Sequence, residues 1–349
     1  MEAENKFKLF LPALEAESNN NITLISADIR REYTQFALFV TKNRKIIPKI
    51  ESTYSTTDFP SFSEMVKQFI EDNSLTNIAK LAIGVPGPVI SGRSEPQRLP
   101  WKLDANEIRR ETQIDKVYMI NDLEATAYAL ENFDDNTVLT LHESDDFSPG
   151  NVAVLAPGAG LGEAGLFWDG ICLRPFATEG GHCEFSPRTA DEVEFYHFLQ
   201  KIYGIVSWES VLSNEGLFNI YRFLRDVKHQ RQPEWLTQEI EAGNFSKAII
   251  NGALEGKDRI CTMVIDTFMI FLAREANSLV LKMKATGGLV ITGDLPIMLQ
   301  KFLNKEKFYK NFIISDKMEA VLKDIPIYLV KDTNTIIKGA AVFAAFSEE

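Results

Sequence analysis

Short apolar segments alternate with segments of helical periodicity in the first third of the chain. The short segments are β-branched, aromatic or continuously apolar, which is typical of strands. The predicted strands are Ile22 to Asp28, Gln35 to Thr41, Ile46 to Ile50, Leu81 to Val85 and Val117 to Ile120. Phe62 to Glu71 has apolar residues at helical spacing, and Leu123 to Leu130 also predicts a helix. Alternating strands and helices indicate an α/β sheet.

A second series begins near residue 134 and repeats the order strand, polar loop, strand, turn, strand. Its strands are predicted at Asn151 to Leu155, Glu163 to Trp168 and Ile171 to Phe176. Helical material dominates from Asp191 to Met283, and the closing elements are strands at Leu289 to Thr292 and Ile327 to Val330 and a helix at Lys338 to Phe346. The repeat is one of pattern, because the two copies share almost no residues.

Composition narrows the class of protein. The chain has 37 Lys and Arg against 49 Asp and Glu, a formal charge of −12, which disfavours nucleic acid or an anionic membrane as a partner. The three cysteines, Cys172, Cys183 and Cys261, have no paired spacing, so neither a disulfide framework nor a CxxC metal site is indicated. The apolar stretch from Cys261 to Met283 is interrupted by charges, and residues 1–21 lack the apolar core of an export signal. These features predict a cytoplasmic protein.

Ile120-Asn121-Asp122 is the strongest local signal for chemistry. A carboxylate at the end of an apolar strand lies where α/β sheets collect ligands, and Asp can accept a proton from a substrate hydroxyl during phosphoryl transfer. The competing interpretation is that Asp122 caps the helix that begins at Leu123, since Asp is a favoured N-cap.

Two further segments could bind a small polar ligand. In Glu179-Gly180-Gly181-His182 the glycines allow a sharp loop that aims a carboxylate and an imidazole at one ligand. An ordinary turn is the alternative, and a metal site with Cys183 and Glu184 is disfavoured because adjacent residues rarely converge on one ion. Glu209 could hydrogen-bond a ligand hydroxyl, or it could be a first-turn acid favoured by the helix dipole.

Glycine-rich turns could bring backbone N–H groups close to phosphates. The candidates are the turn with Gly158, Gly160 and Gly162, and the pair Gly287-Gly288, which precedes the predicted strand that ends at Gly293. Neither turn is a P-loop, because no Gly-Lys-Ser/Thr follows, and a hairpin is the alternative interpretation.

Taken in order, these segments resemble the bacterial glucokinase family over roughly residues 22 to 346. The matching pieces are Ile120-Asn121-Asp122, Gly158 to Gly162, Glu179-Gly180-Gly181-His182, Glu209 within Ser-Trp-Glu-Ser-Val-Leu-Ser, and Asp324 to Leu329. The resemblance implies that Asp122 is the general base for the 6-hydroxyl of glucose. It also implies that Asn121, Glu179, His182 and Glu209 bind the other sugar hydroxyls, and that ATP and Mg²⁺ are required.

The resemblance also implies a fold. Two α/β units that each open with a three-stranded meander match the duplicated, ribonuclease H-like architecture of the sugar kinase, chaperone ATPase and actin superfamily, whose active-site cleft lies between two lobes; a generic doubly wound fold is the alternative. We expect a flexible leader at 1–20, a small domain at 21–133 plus 331–349, and a large domain at 134–330. A homodimer is a further implication of the resemblance.

The nucleotide side departs from the family pattern. The family's first phosphate loop reads Asp-x-Gly-Gly-Thr-x-x-Arg, whereas this chain reads Asp28-Ile29-Arg30-Arg31-Glu32-Tyr33-Thr34-Gln35. Asp28 is retained and could hold Mg²⁺ through water, but the glycines, the Thr and the final Arg are absent. In the second loop Ala159 replaces a Thr, and at the adenosine-side turn a Gly-Gly is replaced by Gly293-Asp294.

Three hypotheses follow. The leading one is a glucokinase that converts ATP and D-glucose to ADP and glucose 6-phosphate with Mg²⁺. The second is a weak or inactive relative that binds sugar as a sensor or regulator, since the Asp28–Gln35 loop is altered. The third is a kinase that uses another sugar or another phosphoryl donor, such as polyphosphate or ADP.

Overall fold

The computed structural model describes residues 6–96, 99–132 and 135–347. Within these ranges the strands are β1 (Thr23–Ile29), β2 (Tyr33–Lys42), β3 (Lys45–Ser55), β4 (Lys80–Val85), β5 (Arg93–Ser94), β6 (Leu103–Asp104), β7 (Lys116–Asn121), β8 (Val138–His142), β9 (Val152–Pro157), β10 (Leu161–Trp168), β11 (Leu173–Ala177), β12 (Gly288–Ile291) and β13 (Ile327–Val330). The helices are α1 (Phe62–Asp72), α2 (Ala105–Thr112), α3 (Asp122–Tyr128), α4 (Ala190–Tyr203), α5 (Asn214–Asp226), α6 (Glu234–Glu241), α7 (Phe245–Leu254), α8 (Arg259–Met283), α9 (Asp294–Met298), α10 (Lys305–Phe312), α11 (Glu319–Lys323) and α12 (Thr335–Phe346).

The first sheet has five strands in the order β3-β2-β1-β4-β7. The first three form an antiparallel meander, and β1, β4 and β7 run parallel. Strand β4 is buried along its whole length, which explains why its sequence after Lys80 is continuously apolar rather than alternating. Phe36 of β2 stacks on Phe62 and Phe69 of α1 with ring centroids 5.8 and 5.2 Å apart, so this helix seals one face of the sheet.

The second sheet has six strands in the order β11-β10-β9-β12-β13-β8. Strands β9, β12 and β13 run parallel, and β8 lies antiparallel to β13 at the edge. Its first five positions repeat the order of the first sheet, a meander followed by two parallel strands. This duplicated α/β topology confirms the fold class expected from the sequence.

Helix α8 forms the centre of the second core. It has 25 residues, and it packs against α5, α7, α10 and β9. Fifteen of its residues are buried, among them Phe268, Phe271 and Leu272. No helix among the described residues is both long enough and apolar enough to cross a membrane.

The chain divides into two compact units. Unit 1 comprises residues 1–134, 166–177 and 334–349, and unit 2 comprises 135–165 and 178–333. These limits differ from the expected domains mainly at 166–177, where the outer end of β10 and all of β11 group with unit 1. The domain boundaries expected from the sequence, 21–133 plus 331–349 and 134–330, stay a prediction.

The leader was expected to be flexible over residues 1–20, and its described part, from Lys6 onward, is packed. Phe7 and Leu9 are 2% and 4% exposed. Leu9 pairs with Leu173 of β11 as an isolated bridge, and the N–H of Ala13 donates to the carbonyl of Phe346 at 3.0 Å. These apolar residues were too few and too irregularly spaced to predict an element. Residues 1–5 lie outside the described part.

Candidate active site

Three parallel strands of the unit 1 sheet end at the same edge. Asp28 of β1 lies opposite Gly84 of β4, which lies opposite Ile120 of β7. Since neighbouring strands are about 4.8 Å apart, the α-carbons of Asp28 and Ile120 are separated by roughly 10 Å. Asn121 and Asp122 follow Ile120 directly, so the fold brings Asp28, Asn121 and Asp122 to one edge of the sheet.

Asn121 is the N-cap of α3, and Asp122 is the first residue of that helix. The Oδ1 of Asn121 accepts the N–H groups of Leu123 and Glu124 at 3.0 and 3.1 Å, and its amide donates to the carbonyl of Gly87 at 3.0 Å. The Oδ1 of Asp122 also accepts the Leu123 N–H, at 2.8 Å. Asn121 therefore caps the helix together with Asp122, and Asp122 lies half-buried where the helix dipole favours an ionised carboxylate.

The two arginines of the loop between β1 and β2 lie in different environments. The Nε of Arg30 is 3.0 Å from Oδ2 of Asp28, whose side chain is 4% exposed. The backbone N–H of Arg30 donates to the carbonyl of Tyr33 at 2.9 Å, and its carbonyl accepts the hydroxyl of Thr56 at 2.7 Å. Arg31 is exposed. Arg30 is thus held against the retained carboxylate, and Arg31 extends from the surface of unit 1.

In unit 2 the glycine turn between β9 and β10 lies against Glu209. The Oε2 of Glu209 accepts the N–H of Leu161 at 3.0 Å, and a Cβ on Gly160 would lie 2.5 Å from the same oxygen. The carbonyl of Gly158 accepts the N–H of Asn214, the first residue of α5, at 2.9 Å. The turn is therefore fixed on one side by the carboxylate and on the other by the start of a helix.

Gly293 lies at the same edge of the unit 2 sheet as this turn. It follows β12, which is parallel to β9, and the N–H of Thr292 donates to the carbonyl of Leu155 at 2.9 Å. The φ of Gly293 is +93°, and a Cβ there would lie 2.6 Å from the carbonyl oxygen of Pro157. Both facts require glycine at this position. Gly162 belongs to β10 itself and is not part of the tight turn.

Residues 179–182 form a single tight turn. The N–H of His182 donates to the carbonyl of Glu179 at 3.1 Å, and the N–H of Glu209 donates to the carbonyl of Gly181 at 2.9 Å. The side chains of Glu179 and His182 are exposed, whereas Glu209 is half-buried. The fold of unit 2 thus brings together the elements that carry Glu179, His182 and Glu209.

The two glycines of this turn are required by packing rather than by their backbone angles. Neither Gly180 nor Gly181 has a positive φ. A Cβ on Gly180 would lie 1.9 Å from Oε2 of Glu163, and a Cβ on Gly181 would lie 2.1 Å from the carbonyl oxygen of Leu161. The sequence suggested glycines for a sharp loop, whereas the structure shows glycines that leave room for neighbours.

Two buried acids beneath the turn were not singled out from the sequence. Glu163 is 2% exposed and Glu275 is 0% exposed. Burial, together with the charge of Glu163, raises the pKa of Glu275 to about 8, and burial also raises the pKa of Glu163. The signal was an acid inside an apolar strand and another inside the apolar stretch of α8, and periodicity alone does not show that the two meet.

The acidic residues present suit a metal that arrives with a phosphate ligand. Mg²⁺ is often held by one or two carboxylates together with substrate phosphates, and Asp28 is one such carboxylate, with Oδ2 bound to Arg30. Among the described residues no group of three or more His, Cys, Asp and Glu side chains is arranged to hold a metal ion. That includes the segment from His182 to Glu184.

Comparison with known proteins gives consistent matches along the chain. The family model described as glucokinase matches residues 25–347. A glucokinase from Nostoc sp. is 29% identical over 337 residues, covering 92% of this chain and 98% of the relative. A glucokinase from Synechocystis sp. is 30% identical over 316 residues, covering 85% of this chain and 89% of the relative.

Solved structures show the same fold. The glucokinase from an Antarctic psychrotroph superposes with a TM-score of 0.78 at 24% identity, covering 92% of this chain and 98% of that one. Balamuthia mandrillaris glucokinase, solved with glucose, superposes with a TM-score of 0.75 at 20% identity and 95% coverage of both chains. The architecture is therefore that of the actin-like ATPase fold.

Proposed function

Because the chain belongs to the glucokinase family, we propose that it transfers the γ-phosphoryl group of ATP to the 6-hydroxyl of D-glucose, giving ADP and glucose 6-phosphate. The observation that supports this proposal is the position of Asp122, at the carboxyl edge of three parallel strands and at the same edge as Asp28. α/β sheets collect their ligands at that edge.

Asp122 acts as the general base. Its place in the first turn of α3 favours the ionised carboxylate, which can accept a proton at neutral pH. As the 6-hydroxyl attacks the γ-phosphorus, its proton passes to Asp122, and the bond between that phosphorus and the leaving oxygen of ADP breaks. Catalysis otherwise depends on positioning and on neutralising phosphate charge, because the protein forms no covalent bond to the phosphoryl group.

Glu179, His182, Glu209 and Asn121 recognise the remaining hydroxyls of the sugar. The contacts among the Gly158, Gly180 and Glu209 segments support a common role for the residues of unit 2. The Asn121 amide uses one N–H on Gly87 and has a second that can be donated to a ligand. Discrimination is strongest at buried Asn121 and half-buried Glu209, because an analogue without the matching hydroxyl leaves their polar groups unpaired.

The nucleotide is bound by the glycine turns and by Asp28. Gly158, Gly160 and Gly293 supply backbone close to the phosphates, with Gly162 beside them in β10, and Asp28 would hold the Mg²⁺ of Mg·ATP through water. Mg²⁺ would supply charge neutralisation at the transferred phosphoryl group. The structure of a related glucokinase from Streptomyces griseus contains glucose and AMPPNP, which supports a nucleotide and a sugar as joint ligands of this fold.

The ion pair between Arg30 and Asp28 favours a second candidate function. If Arg30 stays on Asp28, the carboxylate is neutralised and the loop cannot hold Mg·ATP, and the protein would bind sugar as a sensor or regulator. Titration calorimetry separates the two functions. Binding of both glucose and Mg·ATP supports the kinase, whereas glucose binding without detectable Mg·ATP binding supports the sensor.

Product analysis tests the reaction itself. The protein is incubated with Mg·ATP and glucose labelled with ¹³C at carbon 6, and the product is examined by ¹³C and ³¹P NMR. We expect phosphorus coupling at carbon 6 and formation of ADP. Absence of product, or phosphate on another carbon, would contradict the proposal. Parallel reactions with polyphosphate and ADP test the alternative donors.

We further propose a cytoplasmic protein that acts as a homodimer on small molecules and does not bind nucleic acid. The acidic balance of the chain, 37 basic against 49 acidic residues, supports the last point. Gel filtration with light scattering tests the oligomeric state.

A further inference from the structure

A buried carboxyl pair lies directly beneath the sugar-binding turn of unit 2. Glu163 comes from β10 and Glu275 from α8, and the two are close enough that the charge of Glu163 raises the pKa of the Glu275 carboxyl group. Among the described residues, Oε1 of Glu163 and Oε2 of Glu275 are buried and accept no N–H or O–H from another residue. Two facing carboxyl oxygens without other donors form a stable arrangement only if a proton lies between them.

The pair is in contact with the turn through Gly180. A Cβ on Gly180 would lie 1.9 Å from Oε2 of Glu163, so the carboxyl group lies against the backbone of the turn with no side chain between them. The hydroxyl of Thr178 donates to the carbonyl of Glu163 at 2.8 Å and accepts the N–H of Gly180 at 3.2 Å. A change in the position of Glu163 is therefore transmitted to the segment that carries Glu179 and His182.

We propose that Glu163 and Glu275 share one proton and act as positioning residues for the Glu179–His182 turn, so that loss of this proton weakens sugar binding. This inference rests on the proposed sugar site. With both carboxylates ionised, two like charges would face each other in a buried site, and their separation would displace Gly180. The pair would make sugar affinity fall as pH rises above neutrality.

The charged surroundings of the pair support this direction. Among the described residues of α8, the cation that pairs with Glu275 is Lys282, whose Nζ is 3.0 Å from Oε1 of Glu275. One ammonium group balances one of the two carboxylates. The turn contributes Glu179, His182 and Cys183. Of the two strands beside β10, β9 has no titratable residue, and β11 carries Arg174, which pairs with Asp169. The burial that raises the pKa of Glu275 to about 8 sets the pH range in which the effect is expected.

Calorimetric titration of glucose without nucleotide, between pH 7 and pH 9, tests the proposal. We expect the glucose Kd of the wild type to rise roughly tenfold over this range. The pKa of Glu275 is about 8, so the fraction of molecules in which the pair holds its proton falls by about that factor. In Glu275→Gln the amide donates permanently to Glu163, so its Kd should change less than twofold. Glu163→Gln should behave alike, and Glu239→Gln, on an exposed face of α6, should retain the wild-type dependence.

A second measurement keeps the test decisive if a variant folds poorly or if glucose does not bind. Amide hydrogen exchange of the peptide containing residues 179–183, corrected for the intrinsic pH dependence, should show loss of protection in the wild type between pH 7 and pH 9 and none in Glu275→Gln. Protection that does not change with pH in the wild type, or that changes equally in both proteins, would contradict the shared proton. Absence of glucose binding at pH 7 would instead refute the proposed sugar site.

Discussion

Glycines at the site matter because they leave space for neighbouring groups, just as other residues matter for the polar groups they carry. Gly160, Gly180 and Gly181 each lie where a Cβ would meet a carboxylate or a backbone carbonyl. The sequence marks these positions as glycines, but it cannot say why, because the facing residues Glu209 and Glu163 are distant in the chain. Candidate acids and amides could be predicted, whereas their contacts required the fold.

The fit between Gly160 and Glu209 gives a matched pair of variants. In Gly160→Ala the new methyl group would lie 2.5 Å from Oε2 of Glu209 and displace it. We expect the glucose Kd, measured by calorimetry without nucleotide, to rise at least tenfold. Gly158→Ala places its methyl group in open space, so its glucose Kd should stay within twofold. Equal effects of the two substitutions would show that Glu209 does not contribute to sugar affinity.

At the scale of elements, strands and helices with clear periodicity were predicted to within a few residues, and elements that depend on distant partners were missed. β13 was predicted over the same residues, and α1 to within one residue. The edge strand β8 was not predicted, because β13, the strand it pairs with in the described part of the chain, follows it by about 190 residues. α3 was predicted to continue to Leu130, but it ends at Tyr128 and a short 3₁₀ turn follows.

A buried lysine at the start of β4 links two elements that the sequence does not connect. Lys80 is 5% exposed, and its Nζ donates to the carbonyls of Ala344 and Ala345 at 2.7 and 3.3 Å, in the last turn of α12. A cation at a helix C-terminus is favoured by the helix dipole. This contact explains a charged residue at the beginning of a continuously apolar strand.

Replacement of Lys80 should therefore destabilise unit 1. In Lys80→Met the two carbonyls lose their charged donor, and we expect the free energy of unfolding to fall by about 2 kcal/mol. Urea unfolding measures the change. The control is Lys67→Met, which removes an exposed pair with Glu64 on α1 and should leave stability almost unchanged, because solvent screens such pairs. A Lys80 variant as stable as this control would contradict the structural role.

At the scale of the whole molecule, the duplicated topology could be predicted because the order of short strands and turns is a local signal. The division of the chain could not, because residues 166–177 contact the leader and α3, which are distant from them in the chain. The altered loop after Asp28 was recognised from sequence, but its ion pair with Arg30 was not. Which side chains pair depends on the backbone geometry, and the amino-acid sequence alone does not provide it.

The buried acids also predict how stability depends on pH. A carboxyl group whose pKa is higher in the folded state than its usual value of about 4.5 binds its proton more tightly when folded, so stability falls as pH rises from that value toward the folded pKa. For Glu275 the folded pKa is about 8. We expect the wild-type Tm to decrease from pH 5 to pH 9, and to decrease less in Glu275→Gln, as followed by circular dichroism. Parallel curves for the two proteins would contradict the shifted pKa.

The central activity proposed for this protein is phosphoryl transfer from ATP to glucose, with Asp122 as the general base. The direct measurement is ADP release in a coupled assay with Mg·ATP and a panel of hexoses, for the wild type and for Asp122→Asn, which keeps an oxygen for the Leu123 N–H. We expect release that depends on glucose in the wild type and a kcat lower by about 10²–10⁴ in the variant, with glucose affinity changed less than threefold. Sugar-independent or absent ADP release by the wild type, or a fully active Asp122→Asn, would contradict the account.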